Sequence, residues 1–286
     1  MVKCIAIDMD GTLVNSELTI AKENSEAIKE AQKKGIEVVI ATGRSYPEAE
    51  YVLKDAGIRC PMICINGAEI RSVEGEIIHK ESIPRPRFID IKDSLSQQNI
   101  YFEVYTDRGT YTSDYDKALT VMTDIFLSAG EQKDYAQLLE GAKARFEEGI
   151  VTLVDHYDQL LTERDLHFYK VLAFSFDEQK VSAAKNTLYK FSDLAVSSSG
   201  KENIEITTLG AQKGEALTDF INKRQIAMEQ TMAIGDNYND LSMLTKVGHA
   251  VAMGNAPEEI KKKCDVVTED HNNHGVAKAI FDVINA

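Results

Sequence analysis

The chain has 286 residues, long enough for one large domain or two of ordinary size. Its 43% hydrophobic and 27% charged residues are those of a soluble globular protein. A formal net charge of −14 argues against a nucleic-acid-binding surface and against adsorption to anionic membranes. No apolar run approaches the roughly 20 residues of a membrane span. The N-terminus also lacks the basic segment and apolar stretch of a secretory signal. Cys4, Cys60, Cys64 and Cys264 are scattered in mostly apolar surroundings and read as buried free thiols, so a cytoplasmic location is expected.

In chain order, residues 2–7 read as an apolar strand. Ile20, Ala21, Asn24, Ala27, Ile28 and Ala31 recur at helical spacing, and Gly35 can end that helix. A second strand spans 36–43. A helix follows, with Pro47 at its start and Gly57 at its end. A third strand covers 61–66, and 69–83 read as a hairpin turning at Glu74 and Gly75. Strands alternating with amphipathic helices predict a doubly wound, Rossmann-like α/β sheet covered on both faces.

The pattern then changes. "PRPRF" (84–88) reads as a linker. Residues 100–107 and 109–114 suggest an antiparallel pair, and helices are expected over 115–130, 135–143, 157–168 and 178–191. Strands are expected at 149–156, 169–176, 193–199 and 203–208. This is an α+β module of its own. The first pattern resumes with a helix over 214–225, a strand over 231–236, a helix over 240–246 and a strand over 249–253. A helix over 257–263, a strand over 265–270 and a helix over 275–284 complete it. The simplest organisation is one α/β domain built from 1–83 and 207–286, with 84–206 inserted.

Ligands of parallel sheets collect at the carboxyl ends of the strands. Asp8 and Asp10 follow the first strand, Thr42 the second, and "GDNYND" (235–240) the strand over 231–236; Lys213 stands just before a helix. Asp8, Asp10, Asp236 and Asp240 would put four carboxylates in one crevice, where repulsion and desolvation favour protonation. A hard cation such as Mg²⁺ resolves this, because it takes oxygen ligands and substrate phosphate. Lys213, the Thr42 hydroxyl and the amides around Gly11 and Gly43 are parts suited to holding a phosphate. One aspartate can then act as nucleophile and a second as general acid and base. Taken singly, Asp8 and Asp10 could instead be turn residues ahead of Gly11. Arg44 and Asn66 fit a turn or surface role as well as a substrate contact. His271 and His274 read as loop residues lining the pocket, and Tyr101, Tyr105, Tyr111 and Tyr115 as strand packing.

"DMDGTLV", "IATGR", "QKG" and "GDNYNDLSML" resemble, in order, the four motifs of the haloacid dehalogenase (HAD) superfamily of hydrolases. The insertion between the second and third resembles a C2-type cap of the Cof-like branch, as do "NGAEI" (66–70) and "HNNHGVAKAI" (271–280). The resemblance covers the whole chain. It implies that Asp8 is the nucleophile and a Mg²⁺ ligand. It implies that Asp10 is the general acid/base and lends the metal its backbone carbonyl, and that Asp236 is the other carboxylate ligand. Gly11, Thr42, Gly43, Lys213 and Asn239 would bind phosphate, with Asp240 orienting Lys213 or metal-bound water. The expected activity is hydrolysis of small phosphorylated metabolites, sugar phosphates above all, under a cap that closes over the core and carries the specificity residues; no obligatory protein partner is expected. A phosphomutase or phosphotransferase using the same aspartyl-phosphate, and a non-catalytic phosphometabolite sensor, stay open as alternatives.

Overall fold

A computed structural model describes residues 1–128, 135–198 and 202–285. Its contacts divide the chain into two units, Met1–Lys80 with Gln212–Ala286, and Glu81–Ala211. The first unit opens with β1 (Cys4–Ile7), α1 (Lys22–Lys33), β2 (Glu37–Ala41), α2 (Tyr46–Asp55) and β3 (Met62–Cys64). The hairpin of β4 (Glu69–Arg71) and β5 (Ile77–Lys80) follows. The strands are shorter than the apolar runs that announce them. Pairing of β1 with β2 stops at Ile7 and Ile40, and beyond it the chain breaks into the loops that carry the polar residues.

The second unit contains α3 (Arg85–Gln97), β6 (Tyr101–Thr106), β7 (Gly109–Thr112), α4 (Tyr115–Ser128), α5 (Tyr135–Glu147) and β8 (Val151–Leu153). It continues with β9 (Phe168–Phe174), α6 (Glu178–Leu188), β10 (Leu194–Ser197) and β11 (Asn203–Thr208). Its sheet runs β10-β11-β9-β6-β7-β8, antiparallel except where β8 joins β7. Two sequence expectations fail here. "PRPRF" is not a linker but the first turn of α3, with Pro84 capping it and Pro86 just inside. Proline is tolerated there because the N–H groups of a first turn have no partner within the helix. The helix expected over 157–168 is a 3₁₀ turn over Tyr157–Thr162. The Arg85 guanidinium takes the carbonyl oxygens of Leu161, Glu163 and Leu166, which a continuing helix would have used itself. Phe88 stacks on Phe168 at 4.0 Å between ring centroids in the core beneath this sheet. Residues 129–130 of the helix expected over 115–130, and residue 199 of the strand expected over 193–199, lie outside the described residues.

The first unit is completed by α7 (Lys213–Asn222), β12 (Thr231–Gly235), α8 (Leu241–Leu244), β13 (His249–Ala252), α9 (Glu258–Lys261), β14 (Val266–Val267) and α10 (Gly275–Ile284). Several of these are shorter than expected; β14 keeps only two residues of the strand expected over 265–270. The sheet order is β14-β13-β12-β1-β2-β3-β4-β5, so β1 lies between β12 and β2, parallel to both. Every residue of β1 is buried. Cys4, Ala6, Val39 and Ala233 pack with Leu217 and Phe220 of α7. On α1, the Asn24 carboxamide accepts from the Ala277 N–H at the start of α10 at 3.0 Å. The carboxyl ends of β12, β1 and β2 therefore stand side by side at the centre of the sheet.

The start of α7 lies hard against α8. A Cβ added at Gly214 would stand 1.9 Å from the Ser242 carbonyl oxygen, and the Gly214 N–H donates to the Ser242 hydroxyl at 3.0 Å. The atoms nearest that Cβ, from Ser242 and Met243, are all backbone and cannot swing aside. Gly214→Ala is expected to destabilise the protein by about 1–3 kcal/mol through overpacking. Urea denaturation checks this; an unchanged midpoint would mean that α7 and α8 approach less closely.

Candidate active site

β1 delivers Asp8 from its carboxyl end, and the Asp8 N–H donates to the Ile234 carbonyl of β12 at 3.0 Å. α7 supplies Lys213 as its first residue, fully buried. The Lys213 ammonium donates to Asp8 Oδ1 at 2.5 Å and to Asp240 Oδ1 at 2.7 Å. The turn after β12 brings Asp236 and Asp240. Asp240 Oδ2 accepts from the backbone N–H groups of Asp236 and Asn237, each at 3.0 Å, which caps the short helix that follows. Asp236 Oδ1 accepts from the Thr12 hydroxyl at 3.0 Å. Carboxylate oxygens of Asp8, Asp236 and Asp240 lie within 4.8 Å of one another, and all three residues are buried.

One ammonium among three buried carboxylates leaves an excess of negative charge. Burial and the charge of Asp240 push the Asp8 carboxyl up to about 7, even with Lys213 pulling it down. Burial, Asp8 and Asp240 likewise raise Asp236 well above the usual carboxylate range. Burial alone would lower Lys213, but Asp240 and Asp8 together carry it above its ordinary value, so it stays charged. A hard divalent cation fits this donor set: the ligands are all oxygen and the charge is of the right sign. The two oxygens of Asp240 are engaged by Lys213 and by backbone N–H groups, which leaves Asp8 and Asp236 as the residues to hold it.

Asp10 departs from the expectation of four carboxylates in one crevice. Side chains two apart share a side only on an extended chain, and β1 ends at Ile7, so Asp10 lies beyond the strand in a turn. Its carboxylate is not part of the buried trio. It is exposed and takes a fork of hydrogen bonds from Arg44, 3.0 and 3.2 Å from Nε and 2.5 Å from Nη2. It still lies close enough to raise the pKa of Asp8. Arg44 is half-buried, and desolvation alone would lower it, but Asp10 holds it above its ordinary value.

The other expected residues surround this centre. Gly11 has φ +77°, and a Cβ there would lie 2.6 Å from Asp236 Oδ2, so only glycine lets the loop and the carboxylate approach. Thr42 is buried at the end of β2; its hydroxyl accepts from the Arg44 N–H at 3.1 Å, which leaves its own proton to donate. Gly43 lies between Thr42 and Arg44. The Asn239 carboxamide donates to Asn66 Oδ1 at 3.4 Å. Arg44 and Thr12 are the residues to which sequence reasoning assigned too little. Both sit inside the quoted motifs, but a threonine and an arginine in loops carry no signal of what they bond until the fold is known.

Carboxylates gathered around a buried lysine at the centre of a doubly wound sheet suit an enzyme that acts on phosphate esters. Comparison with known proteins agrees. The family model of haloacid dehalogenase-like hydrolases matches residues 5–280. The phosphatase YwpJ of Bacillus subtilis is 38% identical over 277 residues, covering 96% of this chain and 97% of that protein. The 5-amino-6-(5-phospho-D-ribitylamino)uracil phosphatase YwtE of the same organism is 38% identical over 284 residues, covering 99% and 98%. The solved structure of a haloacid dehalogenase-like hydrolase from B. subtilis superposes with a TM-score of 0.90 at 37% identity, covering 98% of this chain and 99% of that one. The chain belongs to the haloacid dehalogenase-like hydrolases, in their Cof-like branch, and is a phosphoric monoester hydrolase.

Lys213→Met is expected to destabilise the protein by about 3–5 kcal/mol, because it leaves Asp8 and Asp240 buried without their counter-charge. Chemical denaturation without divalent cations measures this. An unchanged midpoint would mean that the lysine contributes no compensation.

Proposed function

We propose that the protein is a Mg²⁺-dependent phosphatase of small phosphorylated metabolites, with sugar and sugar-alcohol phosphates as its substrate class. The observation that carries the reading is the trio Asp8, Asp236 and Asp240, of which Lys213 bonds Asp8 and Asp240 and leaves an excess of negative charge, with the hydroxyl proton of Thr42 at the end of the neighbouring strand. The substrate class is supported by YwtE, whose named substrate carries its phosphate on a ribityl group. In this reading the 81–211 unit holds the groups that select among such esters. A cytoplasmic location is supported by Cys4, Cys60, Cys64 and Cys264, all free thiols.

In the proposed mechanism Lys213, Thr42, Gly43, Asn239 and the Gly11 amide hold the phosphoryl group in front of Asp8. An Asp8 carboxylate oxygen attacks phosphorus; the new P–O bond forms as the bond to the leaving oxygen breaks. Asp10 gives its proton to that oxygen. It then takes a proton from the water that attacks the aspartyl-phosphate, which releases inorganic phosphate and restores Asp8. The Arg44 fork holds the Asp10 carboxylate in place before substrate arrives and must open for Asp10 to carry the proton it gives, while Asp240 keeps Lys213 aimed at Asp8. Asp8 and Asp236, with the Asp10 carbonyl, would hold Mg²⁺, and the chemistry it would supply when bound is neutralising charge at the transferring phosphate.

Asp8→Asn and Asp10→Asn are each expected to reduce phosphate release from para-nitrophenyl phosphate to background, with circular dichroism and melting unchanged in character. Near-normal turnover by Asp8→Asn would overturn the covalent route. Chelation of divalent cations is expected to abolish activity and added Mg²⁺ to restore it. Activity that persists in chelator would overturn the metal dependence. A panel of phosphorylated sugars, polyols and unrelated esters tests the substrate class: preference for esters without a polyol chain would contradict it.

A further inference from the structure

Asn255 follows β13 on the solvent side of the site, and neither sequence motif nor mechanism gives it a task. Its carboxamide uses both ends. Nδ2 donates to the Gly11 carbonyl at 2.9 Å and reaches Asp236 Oδ2 at 3.5 Å, and Oδ1 accepts from the His271 N–H at 3.2 Å. The orientation of the amide follows from chemistry alone. A carbonyl and a carboxylate only accept, and a backbone N–H only donates, so the NH₂ end must face Gly11 and Asp236.

The consequence lies at Asp236. Its Oδ1 takes the Thr12 hydroxyl at 3.0 Å, and its Oδ2 faces the Asn255 amide. Each oxygen thus has one neutral donor, which fixes the rotamer and leaves lone pairs for a cation. Neutral donors orient a carboxylate without cancelling its charge, whereas a lysine at 255 would compete with a bound cation. The same amide holds the Gly11 carbonyl, whose residue packs against Asp236 Oδ2 so closely that no Cβ fits. The far end of the amide is itself braced. The loop bearing His271 is closed by the Thr268 hydroxyl on the Gly275 carbonyl at 2.8 Å and by Asp270 Oδ1 accepting from the Asn272 and Asn273 N–H groups. His271 Nε2 and the Asn272 carboxamide both bond the Ser16 hydroxyl, which ties this loop to the one that follows Asp8.

We propose that Asn255 is a positioning residue for the divalent cation: held by the His271 N–H, its amide sets the Asp236 carboxylate and, through the Gly11 carbonyl, the loop that carries the Asp10 carbonyl in the places that give the site its Mg²⁺ affinity. This rests on the Mg²⁺ reading above. Because Asn255 is exposed, its truncation is not expected to threaten the fold.

Mg²⁺ binding, measured by calorimetry without substrate, tests the proposal on the wild type, Asn255→Ala and Ser16→Ala. Asn255→Ala is expected to weaken Mg²⁺ binding about 10–100-fold, the range seen when an outer partner of a metal ligand is removed. The Mg²⁺ concentration for half-maximal hydrolysis of para-nitrophenyl phosphate should rise in parallel, with kcat returning toward the wild-type value at saturating Mg²⁺. Ser16→Ala, which removes two of the hydrogen bonds that brace the far loop but leaves the Ser16 N–H bond to Asn272 and every bond of Asn255 in place, should weaken Mg²⁺ binding far less than Asn255→Ala does. Wild-type affinity in Asn255→Ala, with only its melting temperature lowered, would overturn the proposal and make the residue a staple. Equal weakening by Ser16→Ala would overturn it too. A wild type that binds no Mg²⁺ would overturn the metal reading and this inference together, so the two failures are distinguishable.

Discussion

The site is organised around a buried ammonium. Lys213, fully enclosed at the first turn of α7, bridges Asp8 at the end of β1 and Asp240 behind β12, residues 205 and 27 positions away in the chain. A charge cannot be taken out of water at this depth without close counter-charges. The bridge therefore constrains the fold as much as the fold constrains the bridge. β1 must lie beside β12, the C-terminal segment must complete the sheet begun by the N-terminal one, and α7 must begin where two strand ends meet. The close approach of α7 to α8 at Gly214, one residue on, belongs to the same geometry.

The imbalance that Lys213 leaves is the basis of the function. With three carboxylates on one lysine, Asp8 is pushed up to about 7 by burial and by Asp240, and Asp236 is raised with it. A site that only had to be stable would carry fewer acids. An excess of buried negative charge of this kind fits the divalent cation of the proposed mechanism. Asp240 has both oxygens occupied by protein donors and holds the lysine, whereas Asp8 and Asp236 keep oxygens to offer. The division of labour among three identical side chains is set by what already bonds them.

Much of this was legible in the sequence, for physical reasons that differ from place to place. Aspartates at the ends of apolar strands conflict with local propensity, and such conflicts collect at functional sites. Asp8, Asp236 and Lys213 stand out in this way, and the doubly wound sheet follows from the apolar strands around them. Asp10 would share a side with Asp8 only on an extended chain, and the strand stops at Ile7. "PRPRF" looked like a linker because proline both breaks helices and begins them, and only the position within α3 decides between the two. The 157–168 helix was lost to Arg85, some seventy residues earlier in the chain, whose guanidinium claims its carbonyl oxygens. Thr12, Arg44 and Asn255 carry no pattern at all. Their importance lies in partners up to 244 positions away.

The proposed covalent route requires that Asp8, rather than another acid of the trio, takes the phosphoryl group. Acid quenching of the enzyme during turnover, followed by peptide mapping with mass spectrometry, addresses this directly. An acyl-phosphate is expected on the peptide containing Asp8. A phosphate trapped on Asp236 or Asp240, or continuing turnover with no phosphorylated peptide at any quench time, would contradict it.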